Sequence, residues 1–472
     1  MNRLLGILFA TIFITTSLQA QDTLSLARAI SIGLRNNFDV QIEQLNVEVA
    51  KNNNTWGQAG RLPTISFSGN QNNSMVQRKP ANPFAVAGRN ISNNLNGQLD
   101  VQFVLFDGFA VKINKQRLSQ LEQLSYGNSA FVMETTLQSI ILSYYQALLE
   151  KERLHILENN MSFSKERYDY VKLRKELGGA ISFDVLQEQN NYLTDSANVL
   201  LQGIVYKNSL RQLNLLLNED MQTNFELVDS LEYQHETYEY ENLRAKMVSS
   251  NTNLKNQYLN QEILRSNTKL QQANMSPTLA LNFGGNGSLD QLNANFRTPT
   301  GNTIDNTVGY LNNDPTQPVI NTVNETALAP QTQNGNSYGG YANLSLRFNV
   351  FNGGQIKRAI ENAKVQEKIA DLNTDQLKLS LENDLLANYD MYNLRNQLVT
   401  IALTKLGAAD LNLDLANERY RNGALSAIDL RIVQENARNA ALEAYLAIFN
   451  SISSKIGLIR ITGGLIDRAP KE

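Results

Sequence analysis

The sequence predicts a mainly helical chain in two tandem copies, each with two short strands and one long coiled-coil hairpin. Three observations predict it. Motifs recur at one fixed offset on each side of a single insertion, four short segments alternate apolar and polar residues, and two proline-free stretches run to nearly 70 residues.

The repeat sets the architecture. Leu105-Phe106-Asp107-Gly108-Phe109 recurs 245 residues later as Val350-Phe351-Asn352-Gly353-Gly354, and the stretch from Gly178 to Asp184 recurs from Gly423 to Asp429 at the same offset. Nearer each copy's start the offset is 214: Asn37 matches Asn251, and Pro63-Thr64 matches Pro277-Thr278. The difference of 31 residues is an insertion between Pro277 and Phe351. Units this long lie far above the roughly 20–50 residues of a solenoid repeat. They read as two halves of one fold, residues 21–240 and 241–472.

Residues 1–20 fit a signal peptide, with Arg3 as the positive end, Leu4 to Ile14 as the apolar core and Ala20 before the cut. An uncleaved anchor helix is the alternative, for which the segment is short. Beyond it no apolar run is long enough for a membrane-spanning helix. The chain has no cysteine, which excludes disulfides and thiolate chemistry. A formal net charge of -3 without a basic patch gives no reason to expect nucleic acid. His155 and His235, the only two histidines, stand 80 residues apart and suggest no metal site. No cofactor is expected, and no clustered histidines, paired carboxylates, nucleophile motif or phosphate loop points to an enzyme.

The strands are expected at about 62–72, 97–106, 277–287 and 339–351. Leu62, Ile65 and Phe67 interleave with Thr64, Ser66 and Ser68, and Leu99, Val101, Phe103 and Leu105 with Gln98, Asp100, Gln102 and Val104. Leu279, Leu281 and Phe283 alternate with Thr278, Ala280 and Asn282. Leu344, Leu346, Phe348 and Val350 alternate with Asn343, Ser345, Arg347 and Asn349. A period of two puts apolar groups on one face. A half-buried sheet of a soluble domain and a membrane barrel with a polar lumen both give this pattern. Four strands cannot close a barrel alone, and lipid does not tolerate an open edge. A barrel must therefore be shared between chains, and three chains supply twelve strands. Residues 74–96 and 289–338, rich in Asn, Thr, Pro and Gly, are expected to be exposed loops.

Gly108 to Glu176 and Gly353 to Arg421 contain no proline. As single helices each runs about 100 Å. After each glycine-containing turn a second helix follows. Val185, Tyr192, Val199, Tyr206 and Leu213 stand seven apart, a coiled-coil seam, with Leu430, Ala437, Ala444, Ser451 and Leu458 as repeat partners, smaller at the three middle places. Val365, Leu372, Leu379 and Leu386 keep the same spacing.

With these features the chain resembles the TolC-type outer-membrane efflux proteins over essentially its whole mature length. The motifs that carry the resemblance are the two strand-to-helix turns, with Asp107, Gly108, Asn352 and Gly353, and the two hairpin tips at about 177–183 and 422–428. Arg419-Tyr420-Arg421-Asn422-Gly423 before the second tip is close to the family pattern. The resemblance implies a homotrimer with a 12-stranded barrel in outer-membrane lipid and a long periplasmic helical part closed at the tips. It implies a periplasmic gate at Asp184, Tyr420 and Asp429, with a hydrogen bond between Asp184 and Tyr420 and a ring of three Asp429 carboxylates. A second acidic ring common in the family is replaced by Ile432, so weaker cation selectivity is expected. A basic link is replaced by Leu425 unless Arg421 or Arg431 substitutes. Asp184 and Asp429 also suit helix N-capping, being placed where a helix restarts.

The tips, Leu177, Gly178, Gly179, Asn422, Gly423 and Ala424, would meet a periplasmic adaptor, which links to an inner-membrane pump. The function implied is a passive, gated exit duct of a tripartite efflux or type I secretion system. The alternative is a periplasmic coiled-coil structural protein without a barrel.

Overall fold

The computed structural model describes residues 23–82 and 86–465, so the leader expected over 1–20 lies outside the described residues. In chain order the elements are β1 (Thr23–Leu24), α1 (Leu26–Asn36), α2 (Phe38–Asn53), α3 (Trp56–Ala59), β2 (Thr64–Arg78) and β3 (Gly88–Phe106), followed by α4 (Ala110–Glu176), α5 (Ser182–Leu217) and β4 (Glu226–Leu227). The second copy gives α6 (Tyr240–Ser250), α7 (Thr252–Ala273), β5 (Thr278–Tyr310), β6 (Pro318–Arg347), α8 (Gln355–Arg421) and α9 (Ala427–Ile461). The proline-free stretches fold as expected, α4 and α8 each being one helix of 67 residues. Basic residues close both last turns, Arg174 and Lys175 in α4 and Arg419 and Arg421 in α8, where they complement the helix dipole. Among the described residues no helix is long and apolar enough to cross a membrane.

The chain divides into two compact units. Among the described residues the helical unit comprises 23–52, 120–264 and 366–465. Its main core gathers Leu24, Ile140, Tyr144, Leu148, Leu213, Leu217 and Leu227, and a second core gathers Met247, Leu254, Leu385, Tyr392 and Leu458. The two copies repeat their bonds as well as their motifs. The Asn37 side chain donates to the Leu216 carbonyl at 3.0 Å, and its counterpart Asn251 donates to the Ile461 carbonyl at 2.9 Å. Tyr144 donates to the Leu24 carbonyl at 2.8 Å, and Tyr389 to the Tyr238 carbonyl at 3.3 Å. Each partner is the repeat equivalent of the other. The parallel pair β1–β4, two residues per strand, escapes sequence reading because an alternation needs a longer run.

The α9 seam is packed, with Leu430, Ala437, Ala444, Ser451 and Leu458 all buried. Its first-copy equivalents on α5 are half-buried except Leu213, which is fully buried. The third heptad series behaves differently. Val365, Leu372, Leu379 and Leu386 are exposed, at 53%, 69%, 68% and 48%. Within the chain α8 instead packs through Ala370, Thr374, Leu381, Leu385, Tyr392, Asn396 and Val399, a different stripe of the same helix.

The second unit, Asn53–Ser119 and Arg265–Val365, holds a four-stranded antiparallel sheet in the order β2-β3-β5-β6. All four expected strands exist, and all four extend into the segments expected as loops, while the last ends at Arg347, short of the expected 351. β2 and β3 stay paired to Arg78↔Gly88, and β5 and β6 to Tyr310↔Pro318. The Asn- and Thr-rich composition misled because cross-strand hydrogen bonds, such as Asn293 to Thr332 at 3.1 Å and Ser288 with Ser337 at 2.8 Å, let polar residues prolong a ladder on both faces. Past Asn293, β5 has no partner in β3, so the 31-residue insertion extends a two-stranded ribbon, with irregularities at Pro299/Thr303 and Thr307/Gly309.

Candidate functional site

Register sorts the sheet into rows. Thr64, Gln102, Asn282 and Asn343 stand side by side across all four strands; the next row is Ile65, Val101, Phe283 and Ala342. Then follow Ser66, Asp100, Gly284 and Tyr341, and after them Phe67, Leu99, Gly285 and Gly340. Successive rows point to opposite faces, so one face is polar and carries Asp100, and the other is apolar. The apolar face is uncovered within the chain: Ile65, Phe67, Leu99, Phe283, Leu344 and Leu346 are all exposed. Among the described residues β2 and β6 are both unpaired on their outer edges.

The turns from strand to helix are built as the motifs require. Asp107 accepts from the Val111 N–H at 3.0 Å and caps α4. Gly108 has φ +68°, and an added Cβ would sit 2.5 Å from the Ser276 Cβ and 2.7 Å from the Ala273 carbonyl oxygen. The second copy repeats the backbone turn: the Asn352 carbonyl accepts from the Gln355 N–H, as the Asp107 carbonyl does from the Ala110 N–H, and Gly353 has φ +65°.

The tips are a matched pair. The Gly178 N–H bonds the Lys175 carbonyl and the Gly179 N–H the Arg174 carbonyl, at 3.0 and 2.7 Å. Gly423 to Tyr420 and Ala424 to Arg419 repeat this at 3.0 and 2.8 Å. These bonds satisfy the last helical carbonyls and turn the chain through glycines at φ +80° and +72°. Leu177, Gly178, Gly179, Asn422, Gly423 and Ala424 are all exposed.

Both tip aspartates serve the start of the next helix from its third residue. Asp184 Oδ2 accepts from the Ile181 N–H at 3.2 Å. Asp429 N–H donates to Ser426 Oγ at 3.1 Å, and the Ser426 hydroxyl returns a bond to Asp429 Oδ2 at 2.7 Å. Among the described residues no hydrogen bond joins Asp184 to Tyr420. Tyr420 instead lies half-buried near Glu188 and Arg167, where burial, with the Glu188 charge next, raises its phenol above the usual range.

What ties the two hairpins together is a cluster that the motifs did not announce. Arg431 of α9 reaches Asp195 of α5 with two guanidinium nitrogens, at 2.5 and 2.9 Å, and Ser164 of α4 at 2.9 Å. Ser164 also bonds Asp195. Arg167 of α4 bonds Gln434 of α9 and pairs with Glu188 of α5 at 3.3 Å. The side chains of Arg167, Glu188 and Asp195 are only 7%, 6% and 1% exposed. Burial pushes the Asp195 carboxyl up, but hydrogen bonds from Arg431 and Ser164 outweigh it and hold it below its usual range. Arg431 was expected only as a stand-in for a missing basic link, and its partner was not foreseen. The available signal was a polar series at seven-residue spacing, Glu188, Asp195 and Gln202. Gln202 is likewise bonded inward, to Glu150 at 2.7 Å. Repeat equivalents of Ser164, Glu188 and Asp195 are Ala409, Val433 and Ala440, so the cluster belongs to one copy's arrangement only. Among the described residues no cluster of histidine, aspartate and glutamate side chains suits a metal ion.

No protein-family profile matches the sequence, and no curated protein matches it. Solved structures do. The Campylobacter jejuni CmeC outer membrane channel superposes with a TM-score of 0.68 at 14% identity, over 93% of this chain and 85% of that one. The Vibrio cholerae outer membrane protein VceC gives 0.64 at 13% identity, over 93% and 96%. The open state of the Neisseria gonorrhoeae MtrE outer membrane channel gives 0.63 at 16% identity, over 95% and 91%. The chain has the fold of these TolC-type outer-membrane channels.

Proposed function

We propose that three copies of this chain close a 12-stranded barrel in the outer membrane and form a passive, gated export duct. The observation that carries this reading is the sheet, which exposes an apolar face beside two unpaired edges. In water such a surface aggregates; in lipid the apolar face is solvated and joining β2 of one copy to β6 of the next removes both edges. The polar rows with Asp100 then line a wet lumen. The exposed series Val365, Leu372, Leu379 and Leu386 on α8 gives a further apolar strip for a second copy of the chain.

The mature chain would begin after residue 20, and its two repeats, 21–240 and 241–472, would each deliver one hairpin to a periplasmic end. There the exposed tips would meet an adaptor protein coupled to an inner-membrane pump. Asp429 from three copies would give the closed end a ring of negative charge that favours cations. Asp184 and Tyr420 would act at the same level, Asp184 by holding its helix start and Tyr420 by packing beside Glu188 and Arg167. The buried Arg431–Asp195 and Arg167–Glu188 pairs would be the intrachain tie that opening must strain.

Single-channel recording of the purified protein in planar bilayers tests the reading. A small cation-preferring conductance that rises when the tie is broken is expected. Absence of conductance from the parent and from every tie-breaking variant would contradict it.

A further inference from the structure

The second compact unit holds one feature that the export reading leaves unused. Where β3 ends and α4 begins, a cleft of about 540 Å³ is lined by Trp56, Arg61, Phe103, Phe106, Phe109 and Lys112, among others. Aromatic and basic side chains share its lining.

Local structure explains how it forms. Thr55 caps the single turn α3, accepting from the Gln58 N–H at 3.1 Å. Gly60, at φ +97°, then reverses the chain, and the Arg61 N–H bonds the Trp56 carbonyl at 2.9 Å. That turn lays the Arg61 guanidinium over the Trp56 ring, 4.8 Å from its centre. Lys115 lies 5.9 Å from the same ring. On the other side Phe109 meets Phe106 edge to face, with ring centres 5.5 Å apart.

Two observations single the cleft out from a generic aromatic fringe. The first is strain. Phe109 sits at φ +68°, a left-handed conformation that a bulky residue enters at a cost, yet its side chain is 66% exposed and gains little burial in return. The second is the duplication, which supplies an internal control. The matching turn carries Gly354 in the same conformation, at φ +75°. The equivalents of Trp56, Arg61 and Lys115 are Leu270, Met275 and Ile360. The second copy keeps Phe348, Phe351 and Lys357 at the places of Phe103, Phe106 and Lys112, but only the first copy adds Trp56, Arg61, Lys115 and the strained Phe109.

We infer that this cleft binds an anionic phospholipid of the leaflet that faces the periplasm. The inference rests on the export-duct reading, because it takes the ends of the strands as the level where hydrocarbon meets headgroups. At that level Trp and Phe rings match an amphipathic environment, with apolar bodies toward acyl chains. Among the described residues Arg61 and Lys112 have no ion-pair partner, and both are exposed. The carboxylate in the lining, Asp107, accepts the Val111 N–H and keeps its charge, so Arg61 and Lys112 leave the cleft with an excess of one positive charge. A net positive charge beside an apolar cleft is complementary to one phosphate-bearing headgroup with its chains below.

Trp56 is the only tryptophan of the chain, so its fluorescence reports this cleft alone. The test reconstitutes the full-length protein in phosphatidylethanolamine vesicles with increasing fractions of phosphatidylglycerol or phosphatidylcholine, each brominated high on the acyl chains. Brominated phosphatidylglycerol should quench at a lower mole fraction than brominated phosphatidylcholine, by about fivefold for each basic residue engaged. Arg61→Gln with Lys112→Gln should abolish the difference. Lys357→Gln, at the second copy's equivalent of Lys112, should leave it intact. Equal quenching by both lipids in the parent would overturn the anion preference and leave the membrane reading standing. No quenching by either would show that Trp56 is remote from lipid, overturning this inference and the placement of the sheet together.

Discussion

Arg431 and Asp195 lie 236 residues apart in sequence and meet through two hydrogen bonds, at 2.5 and 2.9 Å, that join the second hairpin to the first. Removing one partner leaves the other charge in a site from which water is nearly excluded. Asp195→Ala is therefore expected to destabilise the folded chain by about 3–5 kcal/mol. Replacing both, as Asp195→Leu with Arg431→Met, should recover most of that loss, since apolar pairs of similar volume often replace buried ion pairs without penalty. Thermal unfolding of the detergent-extracted protein measures both, and equal stability of parent and single variant would show that the pair is not structural.

The same pair makes a statement about acid. The Asp195 carboxyl is held below its usual range in the fold, so its contribution is complete above the unfolded-state value of about 3.9 and is lost as pH falls through the lower folded value. Stability attributable to this group should be flat from neutral pH down to about 5 and should fall only in strong acid. Asp195→Asn should remove that acid-dependent component. An unchanged acid profile in Asp195→Asn would assign the transition to other carboxylates.

At the tips the three expected gate residues should separate by effect. Asp184→Ala removes the acceptor for the Ile181 N–H, a helix-start contact of about 1 kcal/mol, and should raise conductance modestly. Tyr420→Phe removes a hydroxyl beside Glu188 and Arg167 and should also loosen closure. Asp429→Ala should instead lower cation preference in bilayer recordings. Parent-like behaviour of all three would place the constriction elsewhere.

Helices and repeat were legible because their signals are long. Two 67-residue helices without proline and a doubled set of glycine turns leave few alternatives. Strand existence was legible from Ile65, Phe67, Leu99 and their alternation, whereas strand length was not. Beyond Asn293 the ladder is held by backbone bonds between residues that composition assigns to loops. The tie at Asp195 was hidden for another reason. A buried ion pair is made by residues distant in sequence, and from one side only a polar heptad position is visible. The Asp184–Tyr420 bond implied by the resemblance is not formed among the described residues, where Asp184 Oδ2 accepts the Ile181 N–H.

The ribbon offers a direct consequence of the corrected strands. Pro299 pairs with Thr326, just before an irregularity in the ladder. Excising residues 300–325 and joining the ends by a two-residue turn shortens the ribbon without touching the part of β5 that pairs with β3. Assembly and conductance should survive. Loss of assembly, read from gel mobility without heating, would show that the ribbon packs against another copy.

The central claim is that this sheet is one third of a membrane barrel. Native mass spectrometry of the protein extracted from outer membranes in mild detergent tests it most directly. The account predicts a single species at three times the mass of the mature chain, resistant to dilution. A monomer, or a species released to the soluble fraction without detergent, would contradict it.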